Sequence, residues 1–96
     1  MKPSEALTAH RDELRALVHR YGLSDARVFG SASNGMDTDE SDLDLLVQPG
    51  DSTSLLTLAG LKSDAEQLLG VPVTVLTPAA LPPKFRKQVL QNAQPV

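Results

Sequence analysis

Apolar residues in the first part of the chain recur with helical spacing. Between residues 4 and 21 they are about one or two helical turns apart, which places them on one face of a helix. They are Leu7, Leu14, Leu17, Val18 and Tyr21. Glu5 lies in the first predicted turn and Gly22 follows the last. The segment therefore predicts an amphipathic helix, with Tyr21 completing its core stripe.

Two short apolar runs follow this helix and predict strands. They are residues 26–30 (ARVFG), which end at a glycine, and residues 43–49 (LDLLVQP), which end before a Pro-Gly turn. A third strand is predicted at residues 72–78 (PVTVLTP), because the run is rich in β-branched residues and bounded by prolines.

Two further helices are predicted from amphipathic patterns. Residues 52–69 form the longer one, and Gly70 is the predicted stop. Its apolar face consists of Leu55, Leu58, Leu61, Ala65, Leu68 and Leu69. Residues 83–93 form the other, whose apolar side carries Phe85, Val89 and Leu90.

The predicted order of elements is α-β-β-α-β-α. The short connection between the first two strands favours an antiparallel pair, whereas the helix before the third strand is long enough for a parallel crossover. The predicted fold class is α/β (α+β), with a small mixed sheet of about three strands backed by helices. At 96 residues the chain is expected to form a single domain over residues 1–96.

Composition argues against several classes of function. The chain has no cysteine, which excludes disulfides and thiolate metal sites. It contains no apolar segment of membrane-spanning length and no signal core, so a cytoplasmic protein without membrane contact is expected. A net charge of −3 disfavours direct nucleic-acid binding and favours a divalent cation or a basic partner.

Negative charge is concentrated around the second strand. Asp37, Asp39, Glu40, Asp42 and Asp44 lie close together with no Lys or Arg among them. Strand alternation predicts that Asp42 and Asp44 share one face, opposite the apolar face that enters the core. Two such carboxylates suit Mg²⁺, which binds oxygen ligands and commonly uses one or two carboxylates together with substrate phosphates.

A possible anion site precedes these carboxylates. Gly30 and Ser31 end the first strand, and Gly35 can close the short turn or helix that follows. Glycine lets a phosphate approach the backbone, and N–H groups at a helix start attract anions. Together with Asp42 and Asp44, this order of residues predicts a site for a Mg²⁺-nucleoside triphosphate.

Simpler interpretations apply to several of these residues. A Gly-Ser pair is often only a turn, and an Asp-x-Asp sequence is often a solvated strand face. A calcium loop starting at Asp37 is excluded, because Asp42 stands where that loop requires glycine. Solvated helix positions are the preferred interpretation for His10 and His19. The basic side chains Lys84, Arg86 and Lys87 are assigned to a solvated polar face.

The combination of these motifs resembles the DNA polymerase beta-like nucleotidyltransferases. That superfamily carries Gly-Ser, a following Gly, and Asp-x-Asp on the next strand, as in Gly30-Ser31, Gly35 and Asp42/Asp44. The similarity is greatest to the minimal nucleotidyltransferases, and the segments SDLDLLV, EQLLG, VPVTVLTPAAL and FRKQVLQNA extend it over most of the chain.

The resemblance implies a function and a set of roles. Gly30, Ser31 and Gly35 would bind the triphosphate, Asp42 and Asp44 would bind Mg²⁺, and a nucleoside monophosphate would pass from an NTP, with ATP the expected one, to a hydroxyl group. Many minimal nucleotidyltransferases are antitoxins that modify a HEPN-type partner, usually with AMP. Because relatives that modify drugs or RNA carry an added domain, the acceptor is expected on a partner protein.

The sequence departs from the family pattern at two places. Ala32 and Asn34 stand in the loop where relatives commonly carry arginines, and Thr74 stands where the family has a third carboxylate. Threonine neither accepts a proton effectively nor binds metal strongly. A second hypothesis is therefore a catalytically degraded protein that neutralises its partner by binding alone. A third, a metal-binding structural domain, leaves Gly30 and Ser31 without a role.

Overall fold

A computed structural model describes all residues, Met1–Val96, as three helices and four strands. In chain order they are α1 (Pro3–Arg20), β1 (Ser24–Phe29), β2 (Leu43–Gln48), α2 (Leu55–Leu69), β3 (Val73–Leu76), α3 (Pro83–Asn92) and β4 (Gln94–Pro95). Short 3-10 turns follow β1 at Gly30–Ser33 and β3 at Pro78–Ala80. The predicted mixed α/β class is confirmed.

The four strands form one mixed sheet in the order β3-β2-β1-β4. β2 pairs antiparallel with β1 and parallel with β3, as the connection lengths predict. The prediction of three strands was incomplete, because β4 also pairs antiparallel with β1. β4 contains only Gln94 and Pro95, so it has no apolar alternation by which a strand could be recognised.

The main core lies between one face of this sheet and the two long helices. Leu43, Leu45 and Val47 alternate along β2 and are fully buried in a cluster with Leu14 of α1 and Leu61 of α2. The even-numbered residues of β2 lie on the other face by strand alternation. The buried face of β2 thus fixes which way its acidic residue is directed.

Helix α2 begins later than predicted and is capped at both ends. The Ser54 hydroxyl accepts a hydrogen bond from the Thr57 N–H at 3.3 Å, and Gly70 ends the helix in the left-handed conformation, as predicted. Leu61, Ala65 and Leu69 of the predicted apolar face are buried. Leu55, which the sequence places on the same apolar face, is the first residue of α2 and is 85% exposed.

Tyr21 follows the last residue of α1 and joins the two long helices. Its ring is half-buried and packs against the core cluster, in agreement with the prediction. Its hydroxyl donates a hydrogen bond to the Asp64 carboxylate of α2, which raises the pKa of Tyr21. A Cβ at Gly60 would press on the same ring, so Gly60 allows the close approach of the helices.

Helix α3 is the least buried of the three helices. No residue of α3 is fully buried, and Phe85 remains 50% exposed. Its Arg86 is not simply a solvated charge, as had been predicted, because it donates hydrogen bonds to the carbonyls of Leu81 at 2.9 Å and Ala79 at 3.2 Å. Arg86 therefore ties α3 to the turn that follows β3. None of the helices is long and apolar enough to cross a membrane.

Asp37 has a structural role that its place in the acidic segment conceals. It is only 4% exposed and accepts hydrogen bonds from the Ser4 backbone N–H at 2.7 Å and the Ser4 hydroxyl at 3.0 Å. Burial alone would raise the pKa of Asp37, but these hydrogen bonds outweigh it and the pKa is lowered. The Asp37 carboxylate thus caps the start of α1 and is not available to the proposed cation site.

Asp37→Asn is expected to lower the melting temperature at pH 7 by about 4–8 °C, corresponding to the loss of a helix cap worth about 1 kcal/mol. Because the folded-state pKa is lowered, the ionised carboxylate stabilises the fold at neutral pH and loses this effect as the pH falls below about 3.8, the ordinary value. The difference in melting temperature between Asp37→Asn and the wild type should therefore shrink as the pH is lowered from 7 to 2.5. Asp39→Asn, a matched change at a residue that is 76% exposed, should have little effect; equal effects would refute the capping role.

Candidate functional site

Asp44 lies in the central strand between two neighbours that share its face. It pairs with Phe29 of β1 on one side and with Thr74 of β3 on the other. Thr74, the position at which the family pattern has a third carboxylate, thus lies beside Asp44. Asp42 lies just before β2 begins at Leu43, so it precedes the strand and strand alternation does not by itself orient its side chain.

The electrostatics of Asp44 reflect both burial and a like charge. Asp44 is half-buried, and desolvation is the main cause that raises its pKa. The negative charge of Asp42 raises it further. A cation between these carboxylates would offset both effects, so the donor chemistry of the pair fits Mg²⁺, which commonly takes one or two carboxylates.

The start of the turn after β1 lies against the Asp44 carboxylate. Gly30 has φ +74°, a conformation that other residues rarely adopt, and a Cβ there would overlap the Asp44 side chain. Ser31 follows within the 3-10 turn and is half-buried. The first N–H groups of such a turn have no partner within it, and they offer donors to an anion.

Gly35 closes the turn, as the sequence predicts. It has φ +75°, and no atom lies close to the position that a Cβ would occupy. The backbone N–H of the next residue, Met36, donates a hydrogen bond to the Ser31 carbonyl at 3.0 Å and so stabilises the turn. Glycine is needed at position 35 because φ is positive there. At position 30 it is needed both because φ is positive and because the Asp44 side chain occupies the space of a Cβ.

Strand β3 is held in register beside the site by a side chain of α2. The Glu66 carboxylate accepts hydrogen bonds from the Val73 N–H at 3.0 Å and from the Lys62 ammonium at 2.9 Å. The bond from Val73 is the main cause that lowers the pKa of Glu66. This hydrogen bond fixes the position of Val73, the residue next to Thr74.

No group of three or more His, Cys, Asp or Glu side chains converges anywhere in the chain, so Asp42 and Asp44 have no third acidic neighbour.

A cavity of about 710 Å³ adjoins this cluster and was not predicted from the sequence. It extends from Gly30 to helix α3 and is lined by Phe29, Phe85, Gln88 and Asn92, among others. The sequence predicted the apolar side of α3 but not what that side contacts. The spacing of Phe85 and Val89 was the available signal, but it does not distinguish a core contact from a cavity wall.

Other candidate residues lie apart from the cluster. His10 and His19 are on α1, where His10 lies 2.9 Å from the Glu13 carboxylate and His19 is exposed. Asp39 and Glu40 are exposed on the loop before β2, and Asp37 caps α1. Of the five acidic residues, only Asp42 and Asp44 therefore belong to the candidate site.

Comparison with known proteins places this arrangement in context. The sequence profile of the nucleotidyltransferase domain matches residues 8–96. The protein adenylyltransferase MntA of Thermococcus cleftensis is 38% identical over 86 residues, which cover 90% of this chain and 84% of MntA.

Solved structures show the same fold. A protein assigned as a minimal nucleotidyltransferase superposes with a TM-score of 0.87 at 42% identity, covering 97% of this chain and 95% of that one. A toxin–antitoxin structure with AMP-PNP superposes with a TM-score of 0.75 at 20% identity, covering 88% of this chain and 69% of that one. The second similarity concerns the fold alone.

Proposed function

Because the chain belongs to the nucleotidyltransferase family, in its minimal branch, we propose that it transfers AMP from ATP to a hydroxyl group of a partner protein. The observation that carries the proposal is the position of Asp44 between the Gly30 turn and Thr74. We place this function in the cytoplasm, where ATP and Mg²⁺ are available.

In this proposal the residues divide into two groups. Gly30, Ser31 and Gly35 form the turn that receives the triphosphate through backbone N–H groups and the Ser31 hydroxyl. Asp42 and Asp44 would hold Mg²⁺. When bound, the ion neutralises charge on the phosphates and acts as a Lewis acid.

The transfer is an exchange of bonds at the α-phosphorus. The acceptor oxygen forms a bond to this atom, the bond to the departing pyrophosphate breaks, and the hydroxyl proton must pass to a base. Such reactions depend chiefly on positioning and on neutralising charge. Asp44 and Gly30 are held by two strand pairings and a constrained turn, so they are positioned before the nucleotide arrives.

A HEPN-type toxin is the proposed partner, and the chain would be its antitoxin. The family resemblance and the similarity to the protein adenylyltransferase MntA support this assignment. The alternative is a protein that neutralises its partner by binding alone. Two observations favour it. Thr74 stands beside Asp44 where the family pattern has a carboxylate, and Ala32 and Asn34 stand where relatives commonly carry arginines.

One experiment tests the proposal and separates it from the alternative. The protein is incubated with Mg²⁺, each of the four α-labelled NTPs, and a HEPN-type protein encoded next to it. We expect the partner to gain the mass of AMP when ATP is supplied. A stable complex without added mass would support neutralisation by binding, and neither a complex nor modification would refute both functions.

Thr74→Asp is expected to raise the rate of transfer about tenfold, from a slow wild-type rate. A carboxylate at position 74 shares the face of Asp44 and can either add a metal ligand or accept the acceptor's proton. Apo stability should fall because another negative charge joins the site, and Mg²⁺ should restore it.

Single-turnover transfer to the partner measures this effect. Thr74→Asn, which has nearly the same size as aspartate without its charge, is the matched control and should not accelerate transfer. A wild-type rate equal to that of Thr74→Asp would mean that a third carboxylate is dispensable in this protein.

A further inference from the structure

The cavity beside Gly30 differs in charge from the cluster that it adjoins. Nine residues line it, and none of them carries a charge. Gly30 is part of the cavity lining, and the Asp44 carboxylate, which does not line the cavity, lies directly against this glycine. The two adjacent regions therefore suit a ligand with an anionic, metal-bound end and a neutral end.

Aromatic side chains form part of the cavity wall. Phe29 ends β1 immediately before Gly30, and Phe85 lies on the first turns of α3. Phe85 is 50% exposed, so part of its ring is accessible to a ligand in the cavity. Rings at such positions can stack on a nucleobase. The Lys84 ammonium lies 5.6 Å from the centroid of the Phe85 ring.

Carboxamide groups provide the polar part of the wall. Gln88 is exposed and lies one helical turn after Phe85, and Asn92 follows one turn later. The Asn92 side-chain amide donates to the main-chain carbonyl of Gln88 at 3.0 Å, which restricts the Asn92 side chain and leaves the Gln88 carboxamide free of this bond. A carboxamide matches the adjacent donor and acceptor of adenine, whereas guanine is more often read by Arg or Lys. Neither Arg nor Lys lines this cavity.

We infer that this cavity binds the adenosine portion of the nucleotide, with Phe85 stacking on the adenine and Gln88 selecting adenine over guanine. The inference rests on the proposed function, because it requires the triphosphate to lie at Gly30 and Ser31. It assigns base selection to α3, which lies outside the Gly-Ser and Asp-x-Asp motifs. The side chain of a protein acceptor is the competing occupant.

The experiment compares the wild type with Gln88→Ala, Phe85→Ala and Gln91→Ala. Gln91 is an exposed glutamine of the same helix that does not line the cavity, so Gln91→Ala is a matched control for Gln88→Ala. Each protein is titrated calorimetrically with ATP, GTP and inorganic tripolyphosphate, all in the presence of Mg²⁺. Tripolyphosphate reports the phosphate site without a base.

In the wild type, ATP should bind at least about tenfold more tightly than GTP or tripolyphosphate. Phe85→Ala should weaken ATP binding about tenfold, and Gln88→Ala should remove most of the preference for ATP over GTP. Tripolyphosphate should bind equally to all four proteins, which also shows that each is folded. Gln91→Ala should match the wild type throughout.

The outcomes distinguish this inference from the proposed function. If ATP binds no more tightly than tripolyphosphate, or if Gln88→Ala and Phe85→Ala behave like Gln91→Ala, the adenosine site is refuted and an acceptor site becomes the better assignment. The phosphate site would stand in that case, because tripolyphosphate still binds. If the wild type binds neither ATP nor tripolyphosphate, both the inference and the proposed function fail.

Discussion

Replacing Asp42 and Asp44 together by asparagine is expected to lower the rate of AMP transfer about a thousandfold, while the apo protein becomes more stable. The loss of rate follows from the loss of the proposed metal site, since a bound metal ion contributes several kcal/mol and each 1.36 kcal/mol is a factor of ten. The gain in stability follows from the burial of Asp44 and the charge of Asp42, which both raise the pKa of Asp44.

The pH dependence of this gain has a definite sign. A carboxyl group whose folded-state pKa is raised destabilises the fold while it is ionised, and protonation relieves the cost. The difference in melting temperature between the double variant and the wild type should be greatest near pH 7. It should shrink as the pH falls through the folded-state pKa of Asp44, which lies above 3.8.

A second double variant provides the control for loop charge. Asp39→Asn with Glu40→Gln removes the same charge from exposed residues of the same loop. We expect this variant to keep both transfer and Mg²⁺-dependent stabilisation by ATP. If both double variants gained equal stability, the effect would belong to the loop as a whole and not to the pair at β2.

Gly30→Ala is expected to destabilise the fold by about 2 kcal/mol or more and to abolish stabilisation by Mg²⁺-ATP. The alanine at position 30 must keep φ near +74°, and its methyl group would also overlap the Asp44 carboxylate. An unfavourable backbone conformation alone costs of order 1–3 kcal/mol. Displacement of Asp44 adds to this cost and disturbs the proposed metal site.

Gly35→Ala separates these two contributions. Gly35 has φ +75° but open space at the Cβ position, so Gly35→Ala should lose only the stability that corresponds to the unfavourable backbone conformation. Denaturant unfolding of both variants should show the larger loss for Gly30→Ala. In the Asp44→Ala background, the cost of Gly30→Ala should fall towards that of Gly35→Ala, and an unchanged cost would contradict the proposed overlap.

The sequence contained most of the information that determines the sheet and the cluster around Asp44. Alternation of apolar and polar residues in β2 fixes one face in the core, so the parity of Asp44 follows directly. Connection lengths predicted an antiparallel pair with β1 and a parallel pair with β3, and the family pattern singled out Thr74, which the observed register places beside Asp44. These features depend on local patterns and on chain connectivity.

Features that depend on contacts distant in sequence were not predicted. Asp37 was grouped with the other acids because nothing in its own segment indicates that it caps the start of α1. β4 is recognised only by its pairing with β1. The apolar side of α3 was predicted but the cavity that it lines was not, because amphipathic spacing shows that a face is apolar and not what covers it.

The pairing of β2 on both sides also determines how the site can be lost. A slip of one residue along either neighbour would turn the Asp44 carboxylate into the core that Leu45 now fills, which would strongly destabilise the fold. As long as the sheet is folded, the Asp44 carboxylate therefore stays in its position at the site. Heat inactivation should consequently follow the same cooperative transition as the sheet itself, so the fraction of active molecules reports the fraction that is folded.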